Sequence, residues 1–408
     1  MITRNLYIQK IMPYIDAPLV KVISGMRRTG KSTILAQLAS ILNSRGTVQL
    51  LNMESLEHEN LRNYQTFNNY IKTWQKSISG KRYLLIDEVQ EINGWEKVIN
   101  SLLAENKMDI IITGSNAHLL SNELSTYLTG RYIEFSVYPL SFAEFLDFRY
   151  LGADSPEKNS EFNKWLRYGG LPGIHAFPLG DELSLPYLNS VLSSILLSDV
   201  VQRFRIRDVG VLERIFRFIL DNVGSISTAK KISDYFKSQK IKISVDTVLS
   251  YLSHLESAYL IHRAPRFDIK GKRHLELYDK YYANEPGLRH AFTGYADRDI
   301  NGLLENTVFM ELKRRAYQVF VGKQGEREID FVAVKNGRIR YFQVACHLAD
   351  AKIIEREFGN LRLIPDQHSK TVLSMDTILN PLDGINHRNI IDFLLEAETD
   401  NNSTFIYA

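Results

Sequence analysis

The chain has 408 residues, 44% of them hydrophobic and 24% charged, with 50 Lys plus Arg against 47 Asp plus Glu. This is a globular composition with room for two or three domains, and the near-balance of charge means that any basic surface must be local. The single cysteine, Cys346, excludes an internal disulfide and a cysteine-built zinc site.

No apolar stretch approaches the length of a membrane span. The N-terminal MITRNLYIQK lacks the apolar core of a signal peptide, so the expected compartment is a reducing cytoplasm without membrane contact.

The first informative element is an apolar run, LVKVIS at 19–24, followed by GMRRTGKS at 25–32 and an amphipathic STILAQLASIL at 32–42. Strand, loop and helix in that order give the pattern G-x-x-x-x-G-K-[ST] its physical meaning. Glycines turn successive N–H groups toward one point, and the helix N-terminus adds positive potential there. Gly25, Met26, Arg27, Arg28, Thr29, Gly30, Lys31, Ser32 and Thr33 are therefore expected to cradle phosphate. Lys31 reaches the β- and γ-phosphates, and Ser32 offers a hydroxyl to Mg²⁺. Either of Arg27 and Arg28 could touch phosphate, or be solvated or bonded within its own domain.

Strand candidates at 20–24, 49–53, 83–87, 109–113 and 132–137 alternate with helices, which predicts a parallel sheet covered by helices. The third, YLLIDE, ends in two carboxylates, and strand carboxyl ends open on the ligand crevice of such sheets. Asp87 is expected to hold Mg²⁺, directly or through water, and Glu88 to polarise the attacking water. No guanine-reading N/T-K-x-D motif follows, so the expected nucleotide is ATP.

The fourth strand runs into IIITGSN, where Ser115 or Asn116 would face the γ-phosphate; the alternative is a simple chain turn. A helix is expected over 117–128, and after it comes Arg131 in LTGRYIEF. An arginine before the fifth strand projects from the rim and could enter a neighbour's site as a finger. The plain alternative is an ordinary surface arginine.

Residues 139–208 read as a helical lid punctuated by GGLPG at 169–173. Residues 209–292 read as three helices and a β-hairpin, a winged helix-turn-helix. Its third helix offers Ser244, Asp246, Thr247, Ser250, Ser253 and His254, none of them basic. Arg263, Arg266, Lys270, Lys272, Arg273 and His274 cluster on the expected wing and suit duplex DNA, although winged helices also bind proteins.

Residues 293–408 read as a separate α/β unit. Glu305 on a helix, Asp330 on a strand and Gln343 on the next match how restriction-type nucleases hold Mg²⁺. The lysine expected two residues after Gln343 is Ala345, which predicts a degenerate nuclease. Cys346 is expected to be a core thiol.

Together these stretches resemble a prokaryotic family of the AAA ATPase superfamily, in which an ATPase core precedes a C-terminal domain of unknown function. The resemblance rests on VISGMRRTGKSTIL, YLLIDEVQEINGWE, IITGSNAHLLS, LTGRYIEFSVYPLSFAEFL, YGGLP, SDVVQRFRI, LLENTVFMELKRR and EIDFVAV. It implies a P-loop core at 1–138, a helical lid at 139–208, a winged helix at 209–292 and a restriction-endonuclease-like unit at 293–408. It also implies the roles given above for Lys31, Ser32, Asp87 and Glu88, and the superfamily's finger position for Arg131.

The functional expectation is a Mg²⁺-dependent ATPase acting as a switch or motor, oligomeric when active, with a DNA- or protein-binding C-terminal half. An ATP-dependent nuclease and a nucleotide-gated scaffold with negligible hydrolysis are the alternatives.

Overall fold

The computed structural model describes residues 2–115, 128, 130–295 and 300–396. Asn116 and nearly all of the helix expected over 117–128 lie outside the described residues.

The N-terminal unit opens with α1 (Asn5–Ile11) and continues through β1 (Val20–Ser24), α2 (Lys31–Leu42), β2 (Thr47–Asn52), α3 (Tyr64–Lys76), β3 (Arg82–Asp87), α4 (Trp95–Glu105), β4 (Asp109–Gly114) and β5 (Tyr132–Ser136). The five strands form one sheet in the order β2-β3-β4-β1-β5, every pair parallel. β1, β3 and β4 are buried almost throughout, which explains their unbroken apolar runs. Successive side chains point to opposite faces. Val20, Val22, Leu84, Ile86, Ile110 and Ile112 thus meet α3 and α4, while Ile23, Leu85 and Ile111 meet α1 and α2. Because all strands run one way, the chain leaves β1, β3 and β4 at the same edge of the sheet.

Next come α5 (Phe142–Phe148), α6 (Lys158–Tyr168) and α7 (Asp181–Ser194), which runs on as a π-helix over Ile195–Gln202. The continuous helix Asp181–Gln202 has 22 residues and is long and apolar enough to cross a membrane by length and composition, which the sequence reading did not anticipate. Pro186 and Asp199 interrupt the run of letters but not the helix. Its Leu188, Val191, Leu192, Ile195 and Val200 are buried in the protein's own core.

α8 (Val209–Asp221), β6 (Ile226–Ser227), α9 (Ala229–Ser238), α10 (Val245–Ser257), β7 (Ile261–Asp268) and β8 (Arg273–Ala283) follow. α11 (Pro286–Thr293), α12 (Ile300–Arg314), β9 (Gln318–Gln324), β10 (Arg327–Lys335), β11 (Arg338–Val344), α13 (Ala351–Arg362), β12 (Ser369–Ser374), β13 (Asn386–Asn389) and α14 (Ile390–Leu395) complete the described chain.

The three helices and the hairpin occur in the expected order, but the hairpin is not a free wing. β7 pairs in parallel with β9, giving an eight-stranded sheet in the order β13-β12-β11-β10-β9-β7-β8-β6. One core cluster runs from Phe142 through Leu255 and Phe309 to Leu394. That cluster draws residues from both sides of the boundaries expected at 208/209 and 292/293.

Candidate functional site

The phosphate loop leaves β1 through Gly25, whose φ of 144° suits glycine. A Cβ there would lie 2.2 Å from the Val137 carbonyl oxygen, so glycine is required by space as well. Gly30 (φ 96°) caps α2 in the left-handed region. Arg28 also takes a positive φ, 67°, and is exposed.

Lys31 is buried, and its Nζ donates to the carbonyls of Gly25 (3.0 Å) and Met26 (3.1 Å). The loop therefore folds around the ammonium. The Thr29 hydroxyl donates to the Met26 carbonyl at 2.9 Å, closing the same turn.

Across the crevice, Glu88 Oε1 lies 3.6 Å from Lys31 Nζ. Asp87 and Glu88 are both buried at the end of β3. The Thr113 hydroxyl on β4 donates to Asp87 Oδ1 (2.6 Å) and accepts the Glu88 N–H (2.9 Å). One side chain thus sets both acids. Glu88 has a φ of 52°, unusual for a residue with a Cβ and frequent where function fixes the backbone.

Burial pushes the Asp87 carboxyl up, against hydrogen bonds from Thr113 and Ser32. Burial opposes the charge on Glu88 too. There Lys31, the Gln90 amide, Arg27 and Ser115 outweigh it and hold the carboxyl below its ordinary range. Ser115 is buried just beyond the end of β4, close enough to Glu88 to act on its carboxyl.

Of the expected Mg²⁺ ligands, Ser32 stands in the first turn of α2 and Asp87 at the end of β3. Thr33, half-buried in the first turn of α2, completes the expected loop.

Arg27 does not lie free over the loop. Its guanidinium donates to Asp199 Oδ2 (2.7 Å) in the π-helical segment and to Glu54 Oε1 (3.0 Å). π-Helical turns are rare and frequent at functional sites. Arg203, one turn on, lies 3.8 Å from Asp199 Oδ1 and has a buried Nη1 without a hydrogen-bond partner.

On the other flank, Arg4 forms a two-point pair with Glu144 (2.9 and 2.8 Å) and donates to the Thr29 carbonyl at 2.7 Å. The loop is therefore held by α1 on one side and by the lid on the other. Sequence reasoning missed Arg4, Thr113, Asp199 and Arg203. Only the D-x-x-x-R spacing of the last two, one helical turn apart, was a readable signal.

A profile of the AAA domain matches residues 17–146, and a profile of a domain of unknown function matches residues 159–299. An uncharacterised protein of Haemophilus influenzae is 37% identical over 402 residues, 97% of this chain and 99% of its own length. An uncharacterised protein of Methanocaldococcus jannaschii is 30% identical over 326 residues, covering 77% of this chain and 71% of that protein.

The chain belongs to the AAA superfamily of P-loop ATPases. A Walker-type ATPase of Pyrococcus abyssi shares the fold of this AAA protein, with a TM-score of 0.50 at 17% identity over 72% of this chain and 96% of that one.

Elsewhere in the AAA protein the expected residues scatter. Arg131 is exposed, donates to Asn100 Oδ1 at 2.6 Å, and accepts the Val20 N–H through its carbonyl at 3.0 Å. Val20 begins β1, whereas the loop leaves the other end, so Arg131 stands at the sheet edge opposite its own phosphate loop.

On the hairpin, Lys270, Lys272 and Arg273 are exposed. Arg263 is paired with Asp279 (2.8 Å) and Arg273 lies 3.7 Å from Asp268, which reduces the net charge there. The side chain of His274 lies outside the described residues. Arg266 packs over the Tyr278 ring at 5.9 Å. Ser244 caps α10 by accepting the Thr247 N–H, and His254 stacks on Phe204 at 3.9 Å, so part of the third helix is already in use.

The C-terminal acids do converge. Lys280, buried on β8, donates to Glu305 Oε1 (2.9 Å) and lies 2.7 Å from Glu328 Oε1. Tyr282 donates to the same Glu305 oxygen at 2.6 Å. Asp330 Oδ2 accepts the Val344 N–H at 2.8 Å; burial, then Glu305, pushes its carboxyl well above the usual range. Gln343 is engaged with the Asp330 N–H (2.7 Å) and Glu357 (2.7 Å). Ala345 is buried and provides no cation. Among the described residues no three His, Cys, Asp or Glu side chains are gathered as a metal would require.

Proposed function

We propose that this AAA protein is a Mg²⁺-dependent ATP-hydrolysing switch or motor, active as an oligomer, whose C-terminal half engages DNA or a protein. The observation that carries this reading is the convergence of four side chains at one sheet edge. Lys31 faces Glu88 at 3.6 Å, and Ser32 at the start of α2 is among the groups that act on the Asp87 carboxyl.

A hydroxyl and a carboxylate so placed fit Mg²⁺, which keeps several waters and takes only one or two protein oxygens. Bound there, the ion would neutralise charge on the β- and γ-phosphate oxygens. The chain's own residues do the rest. Lys31 exchanges the Gly25 and Met26 carbonyls for phosphate oxygens. Glu88, held ionised, accepts a hydrogen bond from the attacking water. Gln90 donates to that carboxylate, and Thr113 fixes the backbone that carries it.

Arg27 is committed to Asp199, so it links the loop to the lid rather than supplying transition-state charge. Arg131 can supply that charge only to a neighbouring subunit, which is why the active form is an oligomer. The test is phosphate release from ATP with Mg²⁺ across a range of protein concentrations, with oligomer mass measured alongside. Release that rises with assembly supports the reading. No release at any concentration leaves the nucleotide-gated scaffold.

The nuclease alternative gains one observation, the lysine missing at 345 being met in space by Lys280. That ammonium is already bound by Glu305 and Glu328. The expected outcome with Mg²⁺ or Mn²⁺ is therefore intact plasmid. Nicking that disappears in Asp330→Ala would promote the alternative. For the hairpin, charge reversal of Lys270, Lys272 and Arg273 should weaken salt-dependent duplex binding and leave basal ATP hydrolysis unchanged.

A further inference from the structure

A second basic exposed surface of the C-terminal half lies away from the hairpin. Between residues 230 and 242 stand Lys230, Lys231, Lys237, Lys240 and Lys242, with Asp234 the only acid among them. All five lysines are exposed on α9 and the turn that follows.

α8 lies beside this helix and presents Arg214 and Arg217 to solvent. Between the two helices is a cavity of about 620 Å³, walled by Arg214, Arg217, Lys231, Phe218 and Tyr235, with Asp221 as its acid. Tyr235 is 47% exposed, and its ring lies 4.9 Å from Phe218. Arg217 is propped over the Phe292 ring at 4.4 Å, which fixes the guanidinium at the groove. Lys231 spends one of its three donors on the Ile226 carbonyl (3.3 Å) and keeps the others for a ligand.

Cations along a groove with an exposed aromatic ring on its wall are the elements of single-strand binding: phosphates are held by charge and bases stack on the ring. Size decides against the duplex. A cavity of this volume takes a fragment of small-molecule dimensions, so a nucleotide or two of one strand can enter while a duplex can only ride across the mouth. An acidic peptide would use the cations and leave Tyr235 without a role.

We infer that the α8–α9 groove binds single-stranded nucleic acid, its phosphates held by Arg214, Arg217 and Lys231 and a base stacked on Tyr235. This rests on the nucleic-acid branch of the proposed function and moves the contact from the hairpin to α8 and α9.

The test is fluorescence anisotropy on the full chain with labelled oligothymidylate, oligouridylate and a duplex of equal length, with polyglutamate as competitor. Single strands should bind more tightly than the duplex. A preference between the two strands then tells DNA from RNA, and either supports the groove.

Tyr235→Ala should weaken binding about tenfold, and Tyr235→Phe should restore it, since stacking needs the ring alone. Arg214→Glu with Lys231→Glu should weaken binding and flatten its salt dependence by roughly one unit of slope. Charge reversal at Lys270, Lys272 and Arg273 should leave single-strand binding unchanged. Circular dichroism and ATP hydrolysis report whether each variant is folded.

Tighter duplex binding that is lost only in the hairpin variant overturns the groove and leaves the proposed function standing. Binding of no nucleic acid at low salt overturns both. Displacement by polyglutamate together with indifference to Tyr235→Ala assigns the groove to an acidic protein and overturns the inference.

Discussion

The protein contains two lysine–carboxylate clusters, and they are in opposite states. At the phosphate loop, Lys31 is held by two backbone carbonyls and faces Glu88 at 3.6 Å. Glu88 is kept ionised by its neighbours, Lys31 foremost among them. In the C-terminal sheet, Lys280 is in direct contact with Glu305 and Glu328, and Asp330 is driven toward its protonated form. The residue types are nearly the same. The first cluster leaves donors and acceptors unspent around a crevice, as a ligand site must. The second spends them on itself, as a structural ion cluster does. Composition of a site is therefore a weaker guide than whether its charges are already neutralised.

The largest expected effect asks whether the first cluster is complete within one chain. Arg131→Ala should leave nucleotide affinity nearly unchanged and lower turnover by about 10³-fold or more, the scale of a finger that meets developing charge. Mixing it with Lys31→Ala should restore part of the activity through interfaces that join one intact loop to one intact arginine. No rescue at any ratio, in a protein shown to exchange subunits, would return Arg131 to its plain role as a partner of Asn100.

Glu88→Gln comes next. It keeps the shape of the site and loses the ionised acceptor, so turnover should fall by about 10²–10⁴ while ATP affinity is retained. Trapped ATP in a filter-binding assay, with no phosphate released, is the expected signature. Wild-type turnover in this variant removes the base assignment.

The two lysines sharpen the comparison directly. Lys31→Ala should fold normally and bind ATP about 10²-fold or more weakly, because the loss falls on the ligand. Lys280→Ala leaves the part-buried Glu305 and Glu328 without their cation and should cost up to about 3 kcal/mol of stability, with no effect on ATP affinity per folded molecule. Urea unfolding and ATP titration of both variants give the four numbers needed. A stable Lys280→Ala protein would mean that the second cluster is not self-satisfied after all.

How much of this was legible in the sequence divides along the same line. The phosphate loop and the acid pair are contiguous motifs, so residue order alone placed Lys31, Ser32, Asp87 and Glu88 at one sheet edge. Thr113 was in plain view within IIITG, but its role depends on β4 lying beside β3, which a motif does not state. Arg27 and Asp199 are 172 residues apart, and only the packed lid brings them together.

Lys280 lies on β8, the second strand of the hairpin. It reaches the nuclease-like acids because β7 pairs with β9 and carries β8 into the same sheet. That pairing links segments more than fifty positions apart in sequence, beyond the reach of local periodicity. The same pairing explains why three expected C-terminal domains share one core. Missing the α8–α9 groove has another cause: its cations sit on two helices, and neither run was basic enough by itself to stand out.

The smallest effect tests the protonation contrast. The folded-state pKa of Asp330 is raised above its unfolded value by burial and by Glu305. Its contribution to stability is therefore fully present below the unfolded value, near 3.8, and is lost as pH rises through the folded value. Glu88 runs the other way. Its folded value is lowered, so its contribution is present above 4.5 and lost as pH falls through the folded value. Asp330→Asn removes the titration while keeping an oxygen to accept the Val344 N–H. The variant should match the wild type under acidic conditions and exceed it in stability at neutral pH, where the wild type must either hold a proton or bury a charge. Urea midpoints for both proteins across the acid-to-neutral range measure this directly. Curves that stay parallel would show that Asp330 is ionised in the fold, and the second cluster would then carry unspent negative charge like the first.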